Sequence, residues 1–512
     1  MRVSWRAAAV ALLLFLVACV HLPSLPGLAS EQAIAPANGS PLDLAIATLE
    51  ERYPGQSAFR LVVEGNEAFV SRMQSARMAA RSLDVQSYIW HADATGRFLA
   101  QELLLAADRG VRVRVLLDDL DARQHNVAIA ALAAHPNIQV RLFNPFASRR
   151  GAVRFFVEAA LSFKRINRRM HNKSWIADNR LAIVGGRNIG DEYFAASDEV
   201  NFIDLDFAMI GPVVRDASAS FDRYWNSPVA YPIDVLNPKA VSRDAVDRYR
   251  ERLIVHAQEA KQSRYAESLR ADEAIQRMVS GEWPMEWATQ FEFVSDDPRK
   301  VSMSKDELHK LHVGAALAPM IETAQQRLTI ISPYFVPGGN VTTRLVDASR
   351  TGREIRVLTN SLVANDVAAV HGGYSRHRET LVAGGVRVWE LKPSHGAEVD
   401  TSLLGSSGAA LHTKAFVVDG RTLFVGSYNL DPRSTWLNCE QGVLVHNAVL
   451  AQQLERLFDR QTAGERAWRV SLEAGELQWT DGAERLHRDP YASLGRRVQA
   501  WLARFLRLDA QL

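Results

Sequence analysis

Cysteine is nearly absent from this 512-residue chain, which holds two, Cys19 and Cys439. Two are too few for a disulfide framework once Cys19 is committed elsewhere, and Cys439 is expected as a small buried side chain. A long apolar run is also lacking near the start: Ala7 to Val17 is shorter than the ~20 residues a membrane-spanning helix needs. Nor is there an excess of one charge. Sixty Lys and Arg against 58 Asp and Glu leave a formal net charge of +2. That balance argues against a dedicated nucleic-acid binder and leaves any phosphate specificity to a local site. With 47% hydrophobic and 23% charged residues, the composition is that of a globular chain long enough for two or three domain-sized units.

What is present begins with Arg2 and Arg6 ahead of the apolar run, the pattern of a secretory signal core. The run ends in Leu16-Val17-Ala18-Cys19. This resembles the bacterial lipoprotein signal, which implies acylation of Cys19 and a mature chain starting there; an uncleaved N-terminal anchor is the alternative. Either reading places the protein at a membrane of the bacterial cell envelope. Residues 20 to 42 are rich in Pro, Gly, Ser and Ala and read as a flexible tether, with the folded part starting near Leu44. At the other end, Leu494, Val498, Trp501, Leu502, Phe505 and Leu508 form one helical stripe, interleaved with Arg496, Arg497, Arg504 and Arg507. Such a helix either docks on the core or lies in an anionic lipid interface.

The chain repeats itself. Leu83 to Trp90 corresponds to Leu328 to Phe335, Gly110 to Leu117 to Gly352 to Thr359, and Ile138 to Phe143 to Val386 to Leu391, with helix-like stretches between. These β-branched runs predict an α/β fold of two halves, each a mixed sheet flanked by helices. Residues 238 to 290 are dense in charge without a clear apolar face and read as a solvated helical insertion. The expected divisions are a signal at 1–18, a tether and lead-in at 19–57, a first half at 58–237, the insertion at 238–290, a second half at 291–462 and a C-terminal extension at 463–512.

Both halves carry the same polar block. His171-Asn172-Lys173 leads to Asp178 and then Gly185-Gly186-Arg187-Asn188; His412-Thr413-Lys414 leads to Asp419 and then Gly426-Ser427-Tyr428-Asn429. Two residues apart on an extended chain, His and Lys emerge on one face, where an imidazole can attack or protonate while an ammonium neutralises phosphate oxygen. The small residues allow Asn188 and Asn429 to approach the same phosphate. Glu199 lies 28 residues after His171, as Glu440 does after His412, and each is expected to hold the second ring nitrogen of its own histidine. Asp178 and Asp419 are read as orienting partners in the charge network whose loss would harm folding as well as chemistry. Lone histidines such as His91, His371 and His395 are read as structural or solvent-exposed. A Lys stands where a second metal ligand would be needed, so no metal or other cofactor is expected.

With this double motif the chain resembles the phospholipase D superfamily over most of residues 58 to 462. Phe221 to Asn226 resembles bacterial cardiolipin synthases, and the ending, through Leu477-Gln478-Trp479 and His487-Arg488-Asp489-Pro490, is similar to their C type. The resemblance implies one active site shared by the halves, with His171 attacking phosphorus to form a phosphatidyl-histidine and His412 protonating the departing headgroup. It implies phospholipid substrates, phosphatidylglycerol or phosphatidylethanolamine, a membrane surface as partner and no nucleic acid. A transferase making cardiolipin is the leading expectation. A phospholipase D using water, or an exported nuclease or phosphodiesterase, would use the same residues.

Overall fold

The computed structural model describes residues 22–25, 27–122, 126–149, 152–238, 241–308, 311–365, 367–393 and 411–506. The signal-like segment with Cys19, together with His395, Arg507 and Leu508, lies outside them.

Short alternating runs make the strands. In chain order the first half supplies β1 (Ser57–Val62), β2 (Ser82–Ser87), β3 (Arg112–Asp118), β4 (Ile138–Phe143), β5 (Ser174–Ala177), β6 (Leu181–Gly185), β7 (Asp206–Ile210), β8 (Ala230–Pro232) and β9 (Glu286–Ala288). The second supplies β10 (Phe291–Ser295), β11 (Arg327–Ile331), β12 (Glu354–Asn360), β13 (Arg387–Leu391), β14 (Ala415–Val418), β15 (Thr422–Gly426), β16 (Gln441–His446), β17 (Ala467–Glu473), β18 (Glu476–Thr480) and β19 (Arg485–Leu486). Seven strands run β4-β3-β2-β5-β6-β7-β1 in the first sheet and β13-β12-β11-β14-β15-β16-β10 in the second, the same order twice. The pairs β2 with β3 and β3 with β4 are parallel, as are β11 with β12 and β12 with β13; the remaining pairs in each seven are antiparallel.

Period-two alternation divides each sheet between two cores. Trp175 and Ala177 face the helices of the first half, whereas Ile176 faces a core shared with the second. In the second sheet Phe416 and Val418 face outward to their own helices, and Ala415 and Val417 enter the shared core. The shared core also takes Phe221, Tyr224 and Trp225 from the helix Pro212–Trp225, and Leu454, Leu457 and Phe458 from the helix Ala448–Thr462. The two halves therefore bury one continuous apolar layer between them. Each half ties a central strand to its inner helix with a buried arginine. Arg114 grips Asp84 at 2.7 and 2.8 Å and Asp222 at 2.8 Å; Arg356 reaches Asp459 at 2.8 Å.

Three peripheral segments differ from the sequence reading. Residues 31–38 are docked: Glu31 and Ala33 donate their N–H groups to Asn226 and Asp222, and Ile34 and Ala37 accept from Asn179 and Arg180. A helix, Pro41–Arg52, follows with Ser40 as its cap. Within the flexible tether expected over 20–42, residues 31–38 are thus bound, because their backbone pairs with side chains of the first half. The insertion expected to be solvated buries Val246 and Leu253 of the helix Arg243–Ala260, and Ile275 of the helix Glu273–Val279, in the first core. Its few apolar residues are spaced on one side, and the dense charge around them concealed that stripe. The C-terminal extension adds β17, β18 and β19 to the edge of the second sheet before its terminal helix, Leu494–Leu506.

Asp43 anchors the N-terminal helix. It is buried and accepts from Arg81 at 2.5 and 2.8 Å and from Arg180 at 2.8 Å. Burial alone would raise its pKa, but the two guanidiniums and the Ser40 cap outweigh it and hold the carboxyl well below the usual carboxylate range. The contribution is therefore present above the unfolded carboxylate value, near pH 4, and fades only in stronger acid. Asp43→Ala should lower the local opening free energy of this helix by about 3 kcal/mol. Hydrogen exchange of amides 43–52 measures it; unchanged protection would mean that Leu42 and Ile46 hold the helix without the ion pairs.

Candidate active site

The strand β5 starts just after His171-Asn172-Lys173, and β14 just after His412-Thr413-Lys414, so both motifs arrive in extended chain at the seam between the halves. Two backbone bridges clamp that seam. His171 N–H donates to the Cys439 carbonyl and Cys439 N–H to the Arg169 carbonyl, each at 2.8 Å; His412 N–H donates to the Ile203 carbonyl at 2.8 Å. Each histidine is thus fixed by the segment that leads into a strand of the opposite half, β16 for His171 and β7 for His412.

The side chains repeat that exchange. His171 Nδ1 lies 2.9 Å from Glu440 Oε2 and 3.2 Å from the Ser427 carbonyl, whereas His412 Nδ1 lies 2.6 Å from Asp204 Oδ2. The expected pairing of each glutamate with the histidine of its own half is corrected. Glu440 supports His171, and Glu199 is exposed, its backbone N–H bonded to Ser197. The residue equivalent to Glu440 is Asp204, because Gly185 pairs with Asp206 as Gly426 pairs with Gly442. The path from Gly185 to its partner Asp206 is five residues longer than that from Gly426 to its partner Gly442, so an equal count from the histidine lands in the wrong place. Counting back from the strands β7 and β16 would have found Asp204. The longer loop carries Tyr193 and Phe202, whose rings flank His412 at 5.3 and 5.5 Å between centroids; Tyr88 flanks His171 at 5.1 Å.

The small residues after β6 and β15 make room for these carboxylates. A Cβ on Gly186 would collide with Asp204 Oδ1. Its counterpart Ser427 uses its hydroxyl, donating to Glu440 Oε2 at 2.5 Å. Glu440 is held further by Asp296, which accepts its N–H at 2.8 Å and pairs with Lys300 at 2.7 Å.

Lys173 and Lys414 turn their Nζ atoms back onto the carbonyls of His171 and His412, at 2.6 and 2.5 Å. Asn188 donates to the Tyr193 hydroxyl at 2.9 Å and accepts from Ile89 N–H; Asn429 Oδ1 is buried with no hydrogen-bond partner among the described residues. Both line a cavity of about 430 Å³, as do His171 and His412, and Arg433 joins them on its wall. Asp178 and Asp419 do not join this group. Asp178 accepts the N–H groups of Ala80, Arg81 and Ser82, and Asp419 those of Gln325, Gln326 and Arg327. Each sits in the left-handed region, at φ 52 and 51°, closing the tight turn beyond its strand and capping the start of β2 or β11. They hold the frame at the far end of the strands from the histidines.

Charge and burial make the histidines unequal. Burial first, then Lys173, Lys414 and His412, push His171 well below the ordinary histidine pKa. Burial and Lys414 lower His412 too, but Asp204 pulls against them. Burial raises Glu440 to about 7. Burial acts on Asp204 in the same direction, yet the charge and hydrogen bond of His412, with Lys414, keep that carboxyl below its usual range. Burial also drives Lys173 well below the lysine value. The Ser427 carbonyl can only accept, so Nδ1 of His171 carries the proton and Nε2 keeps a lone pair. His412 is backed by a firmly ionised carboxylate, the better support for an imidazolium.

The family described as cardiolipin synthase, PLD-like domain, matches residues 69–225 and 317–462. Cardiolipin synthase C of Escherichia coli (strain K12) is 40% identical over 477 residues, covering 91% of this chain and 98% of its own. Cardiolipin synthase A of Pseudomonas syringae pv. syringae is 26% identical over 402 residues, 78% of this chain and 67% of its own. Among solved structures, phosphatidylserine synthase of Haemophilus influenzae is similar with a TM-score of 0.57 at 15% identity, covering 91% of this chain and 98% of that one, a likeness of fold.

Asp204→Asn should cut turnover roughly 100-fold by misdirecting the His412 ring, whereas Glu199→Gln should leave it within about twofold. Steady-state kinetics of phosphodiester cleavage separates the two; equal losses would return Glu199 to the site. Asp178→Ala should instead lower stability by about 3 kcal/mol, since it strands three backbone N–H donors, that of Ser82 fully buried. Its turnover per folded molecule should change little, which thermal unfolding alongside activity tests.

Proposed function

Because the chain belongs to the cardiolipin synthase family of phospholipase-D-like proteins, we propose that it is a phosphatidyltransferase that joins a phosphatidyl group to phosphatidylglycerol and so makes cardiolipin. Phosphatidylglycerol or phosphatidylethanolamine serves as donor. What supports the reading most is the unequal backing of two histidines that open on one cavity. His171 keeps a free Nε2 and a depressed pKa, the properties of a nucleophile. His412 sits on an ionised Asp204, which favours the protonated ring that an acid needs.

In the first step Nε2 of His171 bonds to phosphorus, the bond from phosphorus to the headgroup oxygen breaks, and His412 gives that oxygen its proton. In the second, His412 takes the proton of an acceptor hydroxyl, whose oxygen bonds to phosphorus as the bond to Nε2 breaks. Lys173, Lys414 and the two asparagines bring positive charge and donors to the phosphoryl oxygens. Water as acceptor would give hydrolysis on the same residues. The cavity favours a lipid acceptor, for Phe202, Val367, Val370 and Leu411 give it apolar walls beside the polar pair. Acylation of Cys19 at the bacterial cell envelope would keep the enzyme beside its substrates.

Incubation with defined phospholipid mixtures and identification of products by mass should yield cardiolipin from phosphatidylglycerol; phosphatidic acid as the sole product would replace synthesis by hydrolysis. His171→Ala and His412→Ala should each abolish turnover nearly as fully as the double change, because they act as one unit. A substrate whose leaving group needs no proton should label residue 171 in the His412→Ala protein. Labelling of residue 412 in His171→Ala instead would reverse the assignment.

A further inference from the structure

The C-terminal helix, Leu494–Leu506, packs with its small side chains inward. Ala500 and Ala503 are buried against Gly372 of the helix Ala368–Ala383, where a Cβ would collide with the Ala500 carbonyl. Its large apolar side chains point the other way. Trp501 is 60% exposed, Phe505 72% and Leu494 78%, with Val498 and Leu502 beside them, and the Trp501 and Phe505 rings stack at 5.8 Å. A helix held by the core would bury this stripe, so its outward placement leaves a contiguous apolar surface that needs a cover.

Two observations say what covers it. The first is charge. A cavity of about 700 Å³ runs between this helix, β18 and the helix Ala368–Ala383, and Arg488, Arg497 and Arg504 line it next to Trp501. Glu379 and Glu476 line it too, but Asp489 is taken up by Arg378 and His371, at 2.7 and 3.1 Å. The arginines thus stand at the border of the apolar stripe with an excess over the free acids. The second is position. Arg496, expected from the sequence among the outward basic residues, is buried and donates to the carbonyls of Leu362 and Asn365. That segment leads directly to Val367 and Val370 on the wall of the active-site cavity. The helix therefore begins at the rim of the site.

We propose that the Leu494, Val498, Trp501, Leu502 and Phe505 face docks on a bilayer carrying anionic phospholipid and sets the cavity mouth at that surface. The choice of a bilayer as occupant rests on the phosphatidyltransferase reading. Trp and Phe enter the headgroup boundary while Arg488, Arg497 and Arg504 meet lipid phosphates.

The test uses the full chain with Cys19→Ser, in which buried Cys439 is the remaining native thiol. Val498→Cys carries an environment-sensitive fluorophore, and Thr351→Cys, exposed at the opposite end of the strands, carries it as control. The probes are vesicles of phosphatidylcholine with phosphatidylglycerol, with and without brominated acyl chains. Quenching of at least twofold at residue 498 and none at 351 is expected, falling with added salt and with phosphatidylcholine alone. Trp501→Ser with Phe505→Ser should weaken vesicle binding tenfold or more while transfer to a water-soluble short-chain phospholipid is kept. A label at 498 that is not quenched while the protein sediments with vesicles would overturn the proposal. So would a blue shift that grows with protein concentration in the absence of vesicles, which would assign the face to a second copy. Quenching at 498 with no transfer product from any phospholipid would refute the enzymatic reading and leave the docking surface standing.

Discussion

The structure depends on one exchange. Each motif histidine is oriented by a carboxylate from the half it does not belong to, Glu440 for His171 and Asp204 for His412. Four basic side chains, two imidazoles and two ammonium groups, are gathered together, His412 half-buried and the rest buried, a costly arrangement unless charges and hydrogen bonds offset the lost hydration. Neither half holds both members of either pair. The shared apolar core, the strand bridges at Met170 with Cys439 and Ile203 with Leu411, and the closeness of the two sheets all serve to keep those pairs formed.

Duplication supplies the frame and divergence supplies the chemistry. Seven strands in identical order place both motifs alike. Departures from symmetry are then confined to the surroundings: Gly186 against Ser427, Asp204 against Glu440, and a longer loop that brings Tyr193 and Phe202 to one ring only. Of these, the Asp204 contact splits the protonation behaviour of two chemically identical side chains, which is what the proposed two-step transfer requires.

Around this centre, peripheral segments are fastened by buried ion pairs rather than by large apolar faces. Asp43 with Arg81 and Arg180 pins the N-terminal helix, and Arg378 with Glu390 and Asp489 binds the C-terminal extension to the second half. The first secures the chain that leads toward Cys19, and the second supports the helix that begins at the cavity rim.

Much was legible in the chain itself. The repeat, the mixed sheets and the same-face placement of His171 with Lys173 and of His412 with Lys414 follow from strand periodicity and from the spacing of each motif, which are local properties; that the two motifs meet in one site was what the family resemblance implied. The role of Asp178 and Asp419 was not legible, since a carboxylate capping three backbone N–H groups looks the same in sequence as one that orients a catalytic group. Glu199 misled because equal spacing from the histidine ignores a loop of different length, whereas the register of β7 and β16 selects Asp204. The apolar stripe near Trp501 was plain from its period, but period does not say which side a neighbouring helix covers. Sequence thus determined which side chains could do the chemistry and which strands carry them. Tertiary structure decided which carboxylate holds which histidine and which helix face stays open, because both depend on contacts between residues more than a hundred positions apart whose geometry no local spacing fixes.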